Sequence, residues 1–550
     1  MTRIRTIALA AVVSAAAAST ALGAVGDITA VTPAVTGADQ TIRSIATGPN
    51  GNVWFTMPGS KKIVRMNPQT QAVTQFDLSS AVCEPQGIAL GPDGAMWFGC
   101  QDGALGRITT AGAVTYYAVA TPGQSDTAAR VDTVITGPDG NIWFAQFSVG
   151  FVGIVSPSSG FQKRVRVQPA PVGGLTVGGD GNVWATYLND FLMYRITPGG
   201  RVSEVPVSAQ VASIATAPNG DVWGVPFGGN LSIQVVPPSG ATRSLPLGSS
   251  SLSIARGPLG FMWIGDNTAA RITRVATDGA LTTFTAGLAW NPSLRGVAAG
   301  ADGNMWFAGA PNPSGSATLF RVLTGAVPTT LAAPSVSGTA TAGNTLTADP
   351  GAWTYQPSSY AYRWERCTTA TSGCTVITGA TGAKYKVTAA DAAKYLRVGV
   401  VASNVNGPSV RVYSKAIADG DTVTPDGGAT GGASSPTSYV GPVAVGTNTL
   451  LSTSGSGTAI TTRYRVAGAG HFAQTATARG ITLCRTSRNV AAAGTYTATC
   501  RLSPAVRRVL RLRPLRVTVT STYTQDGLPT SIAQVRLTLR RTGGPLLVTG

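Results

Sequence analysis

The chain has 550 residues, 41 Lys and Arg against 23 Asp and Glu, and a formal net charge of +18. That length is too great for one hydrophobic core, so several domains are expected. With one histidine, His471, beside six cysteines, a clustered Cys/His zinc site is not expected.

The chain opens MTRIRTIALAAVVSAAAASTALG, where Arg3 and Arg5 precede an Ala-rich apolar stretch and Ala21-Leu22-Gly23 supplies small residues for cleavage. Residues 1–23 therefore read as a signal peptide; alanine and serine make the segment a poor hydrocarbon anchor. No later run is apolar enough to span a membrane, so the mature protein is expected to be secreted, extracellular or at the cell surface. The cysteines suit that compartment. They fall in three close pairs, Cys83 and Cys100, Cys367 and Cys374, Cys484 and Cys500, and nearest-neighbour pairing predicts three local disulfides.

Residues 27–326 repeat. Tryptophans recur at 54, 97, 143, 184, 223, 263 and 306, each following a four-residue turn ending in glycine, of which GPNG (48–51), GPDG (91–94, 137–140) and GADG (300–303) are the most alike. Proline presets φ for the turn, and the final glycine supplies φ > 0. In NVWF, Val53 and Phe55 face one way and Trp54 the other, so the strand must be covered on both sides. Radially stacked four-stranded blades provide that cover, and seven tryptophans predict a seven-bladed β-propeller. The last blade lacks an obvious fourth strand, and ITAVTP (28–33) is expected to supply it and close the ring. Cys83 and Cys100 are expected to staple an incoming loop to the end of the neighbouring strand.

The phrases GPDGNIWF (137–144), GPDGAMWF (91–98) and LGRITTAGAVTYY (105–117) resemble the virginiamycin B (streptogramin) lyase propeller family. The resemblance implies elimination at the ester of a cyclic depsipeptide antibiotic, assisted by magnesium with histidine and glutamate at the funnel mouth. A base near neutral pH and a charged group opposite the enolate-like transition state are the chemical needs. The family's histidine follows a proline at the start of an innermost strand. Here those places hold Arg43, Gln86, Asp132, Gly173, Ala212, Leu252 and Arg295. Its glutamate follows the tryptophan strand, where this chain has Met57, Cys100, Gln146, Tyr187, Pro226, Asp266 and Gly309. No histidine and one acid occupy these positions, so no catalytic residue, metal or other cofactor is expected; magnesium would enter only with a lyase activity. Arg43, Gln86, Asp132 and Arg295, with Gln146, Tyr187 and Asp266 alongside, are the candidate contacts for an anionic or sugar-like ligand. The competing reading is a hydrated rim of solvated charges.

After a linker (327–334), residues 335–417 alternate as a β-sandwich. The stretch YAYRWERC, followed by Cys374 and DAAKYLRVGV (391–400), resembles immunoglobulin-like modules of bacterial surface and secreted proteins. In that resemblance Trp364 is the core tryptophan and Tyr395 fills a corner. Cys367 and Cys374 are too close to bridge two sheets and should clip a hairpin. Residues 418–440 are a Gly/Ser/Thr/Pro-rich linker.

The basic character belongs to the last region, 441–550, which reads as a second β-sandwich. From 440 onward it holds 14 arginines, no lysine and one acid, Asp526. Residues 25–326 are nearly balanced, with 17 Lys and Arg against 16 Asp and Glu. Arg507, Arg508, Arg511, Arg513 and Arg516 crowd a segment with a short helical turn at SPAVRRVLR (503–511), while Cys484 and Cys500 are expected to join neighbouring strands. The arginines form either a solvated face or a contact for an anionic envelope polymer. Nucleic acid is not expected, given export and the lack of interleaved aromatics. The whole is therefore expected to be a secreted binding or scaffolding protein, with a streptogramin-inactivating lyase as the alternative.

Overall fold

The computed structural model describes residues 23–78, 83–119, 130–167, 172–188, 190–228, 231–238, 241–266, 268–288, 293–310, 315–423, 449–455, 459–466, 470–478, 481–490, 494–502, 506, 515–525 and 531–539. The leader and most of the Gly/Ser-rich linker lie outside them, as does the helical turn except Val506. No helix among the described residues is long and apolar enough to cross a membrane.

Seven four-stranded antiparallel sheets follow the tryptophan period. Blade 1 is typical, with strands Ser44–Thr47, Val53–Met57, Lys62–Met66 and Val73–Asp77 running from the axis outward. The second strand is buried along its whole length and the fourth is partly exposed, as a sheet packed between two neighbours requires.

Each tryptophan reaches into the next blade. Trp54 packs with Ile88, Met96 and Phe98 of blade 2, and Trp97 with Ile142 and Phe144 of blade 3. The last, Trp306, packs with Val53, Phe55 and Met57 of blade 1. The ring closes as expected: Ile28–Val31 pairs with Leu319–Val322 of blade 7, Ile28 opposite Val322. First and last strands of the propeller thus share one sheet.

The turn aspartate has a task that the spacing alone does not reveal. The indole N–H of Trp97 donates to Asp93 at 3.0 Å, Trp143 to Asp139 at 2.9 Å, Trp184 to Asp180 at 3.2 Å and Trp306 to Asp302 at 3.2 Å. Blades 1, 5 and 6 carry Asn50, Asn219 and Leu259 at that turn position. There the buried indole nitrogens of Trp54, Trp223 and Trp263 have no hydrogen-bond partner. The first glycine of the turn also answers to the tryptophan, since a Cβ on Gly91 would lie 2.3 Å from the Trp97 ring.

The second module starts earlier than the sequence suggests. Thr330–Ala332, expected in a linker, pairs with Ala352–Trp353. Two sheets, one built on Ser335–Thr339 and Thr345–Asp349, the other on Ser359–Cys367 and Tyr395–Asn404, close over a core centred on Trp364. Cys367 and Cys374 are cross-strand partners joined by a disulfide, the expected hairpin clip. Tyr395 opens its strand opposite Cys367, half-buried.

A polar seam docks this module on the turn end of blades 7 and 1. The buried Asn404 amide donates to the carbonyls of Ala326 at 2.9 Å and Asp302 at 3.3 Å. Asn406 donates to Asn304 at 2.9 Å, and Gln356 to the carbonyl of Asn50 at 2.9 Å.

The C-terminal module has one sheet from Thr449–Gly455, Ala459–Val466 and Gly494–Arg501, and another from Ile481–Val490, Gly470–Ala478, Leu515–Gln525 and Ser531–Leu539. Cys484 and Cys500 are disulfide-bonded, but not as neighbours within a sheet. Their strands are consecutive in sequence and belong to opposite sheets, so the bond ties the two layers through the core they share with Ile460 and Val517.

Candidate functional site

The turns occupy one end of the ring, so the opposite end is where innermost strands begin and tryptophan strands finish. Arg43 and Arg295 extend the inner strands of blades 1 and 7: their backbone N–H groups donate to Thr56 at 3.0 Å and Ala308 at 2.9 Å. Thr56 ties blade 1 to blade 2 by donating its hydroxyl to the Gln86 carbonyl at 2.6 Å.

The other five inner strands carry a register shift at this end, between Pro85 and Ile88, Val131 and Thr133, Val172 and Leu175, Val211 and Ser213, and Ser251 and Ser253. The residues left unpaired there include Gln86, Asp132, Gly173, Ala212 and Leu252, the positions aligned above with the family's histidine. A bulge re-aims its side chain, so the fold keeps a mouth position in these blades whatever residue fills it.

Asp132 is the hub. Its Oδ2 lies 2.6 Å from Arg130 and 3.8 Å from Arg43, its side chain is 8% exposed, and its Oδ1 is buried with no hydrogen-bond partner. Arg130 also stacks on Phe147, 4.4 Å from the ring centre. Burial lowers the pKa of Arg43; Asp132 opposes that shift, and the neighbouring Arg130 and Arg295 guanidiniums add to it. Arg295 itself is exposed. Gln86 is buried and donates at 3.3 Å to both Glu84 O and Gln101 Oε1. Arg43 is thus brought into electrostatic range of both Asp132 and Arg295, with Gln86 on the blade between those of Arg43 and Asp132.

The remaining candidates are placed otherwise. Gln146 is fully buried and donates to the carbonyl of Val119 at 3.2 Å, bracing the loop after the blade 2 sheet. Tyr187 lies half-buried against the core of blades 3 and 4. Asp266 accepts from the Thr268 and Ala269 N–H groups at 2.8 and 2.9 Å and from the Arg271 guanidinium at 3.1 and 2.8 Å. Burial pushes its carboxyl up, but bonds from Ser249, Thr268, Ala269 and Arg271 outweigh that and hold it below the ordinary value. It folds its own loop. Arg507, Arg508, Arg511 and Arg513 lie outside the described residues, as does the side chain of Arg516. His471 is exposed in the C-terminal module, 2.7 Å from Asn489, and has no part in this mouth.

Arg130, Gln101 and Arg271 are the residues missed from sequence. Arg130 had a signal: it stands two before Asp132, hence on the same face of an extended strand. Cys83 and Cys100 form the expected staple, the latter opposite Pro85.

A hard cation such as magnesium needs several converging oxygen ligands. Among the described residues, the grouping of metal-capable side chains is Cys83, Cys100 and Asp102, and its two cysteines are spent in a disulfide. Asp132 and Asp266 each face arginine rather than a second carboxylate. These residues do not fit a magnesium centre.

A sequence model of the virginiamycin B lyase family matches residues 17–251 and 162–344. The chain belongs to that family. A streptogramin B lyase is 21% identical over 54% of this chain and 98% of its own, with a TM-score of 0.48. The virginiamycin B lyase of Staphylococcus aureus is 20% identical over 54% of this chain and 99% of its own, also at 0.48. A hydrazine synthase of Kuenenia stuttgartiensis aligns over 53% and 98% at 13% identity and 0.44. No curated protein sequence matches the chain.

Proposed function

We propose that this member of the virginiamycin B lyase family is a secreted, non-catalytic ligand-binding or scaffolding protein of the cell envelope. The observation that supports this most is chemical: the propeller contains no histidine, the one in the chain being His471. Elimination at an ester needs a base poised near neutral pH, and the mouth acids Asp132 and Asp266 are each held by arginine instead of being presented to a substrate. Three disulfides agree with an oxidising location. The arginine-rich C-terminal region gives the chain a means of holding anionic wall polymer by charge. The testing experiment is incubation of the full chain with magnesium and a streptogramin B lactone; ring opening that a chelator abolishes would overturn the proposal.

Family membership favours a second reading, a carbon–oxygen lyase inactivating streptogramin B. It would require a base other than histidine and a magnesium site other than the mouth acids.

A further inference from the structure

The seven innermost strands, with the residues leading into the first and last, carry Arg43, Asp132, Arg256 and Arg295 as their charged side chains. Arg130, one residue ahead of the blade 3 strand, adds another guanidinium at the mouth. Cations therefore outnumber the single carboxylate along the channel wall. A cleft lined by one sign of charge concentrates counter-ions.

The distances show how that charge is shared. Asp132 gives its short contact to Arg130 at 2.6 Å and a long one to Arg43 at 3.8 Å. Arg43 is thus only loosely held, while desolvation and two neighbouring guanidiniums disfavour its charge. Arg295, on the adjacent blade of the closed ring, is exposed and among the groups acting on Arg43. Two guanidiniums on adjacent blades with positive charge in surplus make a receptor for an oxygen anion, because each offers a planar fork of donors.

We propose that the mouth binds a ligand bearing a small oxyanion, a carboxylate or a phosphate monoester, between Arg43 and Arg295, with Asp132 as the internal competitor for Arg43. This rests on the ligand-binding reading above and names its ligand class. An incoming anion draws Arg43 off the long Asp132 contact and leaves the Arg130–Asp132 pair in place.

The test is calorimetric titration of the full chain with D-glucuronate, D-glucose 6-phosphate and D-glucose at low ionic strength. At least one anion binds and glucose does not, and the tighter of the two anions identifies the source chemistry. Arg43→Gln and Arg295→Gln each weaken binding about tenfold or more, as loss of one charge-assisted fork implies. Asp132→Asn tightens it several-fold by removing the competitor. Thermal midpoints read by tryptophan fluorescence confirm that the variants are folded; Arg295, being exposed, is the safer of the two. Binding of neither anion, equal binding of glucose, or indifference to both arginine substitutions overturns the proposal, as does weakening by Asp132→Asn. Magnesium-dependent opening of a streptogramin lactone would instead overturn the non-catalytic reading, a separate readout.

Discussion

Leu259 offers a substitution whose sign is opposite to most. It occupies the turn position held by aspartate in four blades, it is 54% exposed, and its φ is +59°. A left-handed conformation costs a residue with a Cβ about 1–2 kcal/mol. Behind it, the Trp263 indole nitrogen and the Arg274 Nε are buried without partners. In blade 2 the equivalent groups are both satisfied by one carboxylate: Trp97 donates to Asp93 Oδ1 at 3.0 Å and Arg107 to Oδ2 at 2.5 Å. Asp93 does not share the positive φ of Leu259, so Leu259→Asp should recreate that arrangement by letting the turn take the blade 2 conformation, which also removes the left-handed residue. Two rescued donors at roughly 1 kcal/mol each net, plus relief of strain, less the desolvation of a new carboxylate, give about 2 kcal/mol of stabilisation. For a unit of this size that raises the melting midpoint by roughly 4 °C. Leu259→Gly separates the contributions, since it relieves the backbone without supplying an acceptor and should gain about half as much. Asp93→Ala should lose about 2 kcal/mol. Scanning calorimetry of the four proteins decides it. If Leu259→Asp melts at or below the parent while Asp93→Ala is destabilised, the link between turn residue and indole is refuted.

Other predictions bear on the remaining joints. Asn404→Ala should cost about 1–3 kcal/mol by leaving buried carbonyls unpaired at the seam between propeller and second module; a calorimetric trace with unchanged transitions would argue that the seam is not cooperative. Cys484 and Cys500 are 16 residues apart, so replacing both by serine should cost the C-terminal module about 3 kcal/mol, read as a lower denaturant midpoint for its transition. Asp266 has a depressed pKa, so its carboxylate contributes stability at neutral pH that is lost as pH falls below the ordinary aspartate value and through the lower folded-state value. The stability gap between parent and Asp266→Asn should shrink over that range, and a gap independent of pH would contradict the loop assignment. Full-length protein should co-sediment with anionic cell-wall material at low ionic strength and detach near ~0.5 M salt, where screening is strong; salt-independent binding would remove the role given to the arginines.

Much of the ring was legible because its physics repeats. Seven tryptophans at a near-constant spacing, each after a glycine turn, require a sheet covered on both faces, and the spare strand at 28–31 had one open edge to fill. The mouth was less legible, because its side chains answer to local folding that no period announces. Bulges at Gln86 and Asp132 leave no mark in the sequence, and the fate of Asp266 is set by a loop that brings Arg271 back onto it. Cys484 and Cys500 illustrate another limit: consecutive strands need not share a sheet, and pairing alone cannot say whether a disulfide runs along a layer or through the core. Arg130 was readable, two residues from Asp132, but only once that stretch was recognised as extended.

The most direct test is whether the intact chain opens a streptogramin B lactone in magnesium. Elimination breaks the ring without loss or gain of atoms, so the product is a linear isomer of unchanged mass that chromatography separates from the parent. With no histidine in the propeller, the expected result is substrate alone after prolonged incubation, indistinguishable from a no-protein control. A linear isomer that accumulates in proportion to protein and vanishes with chelator would contradict it.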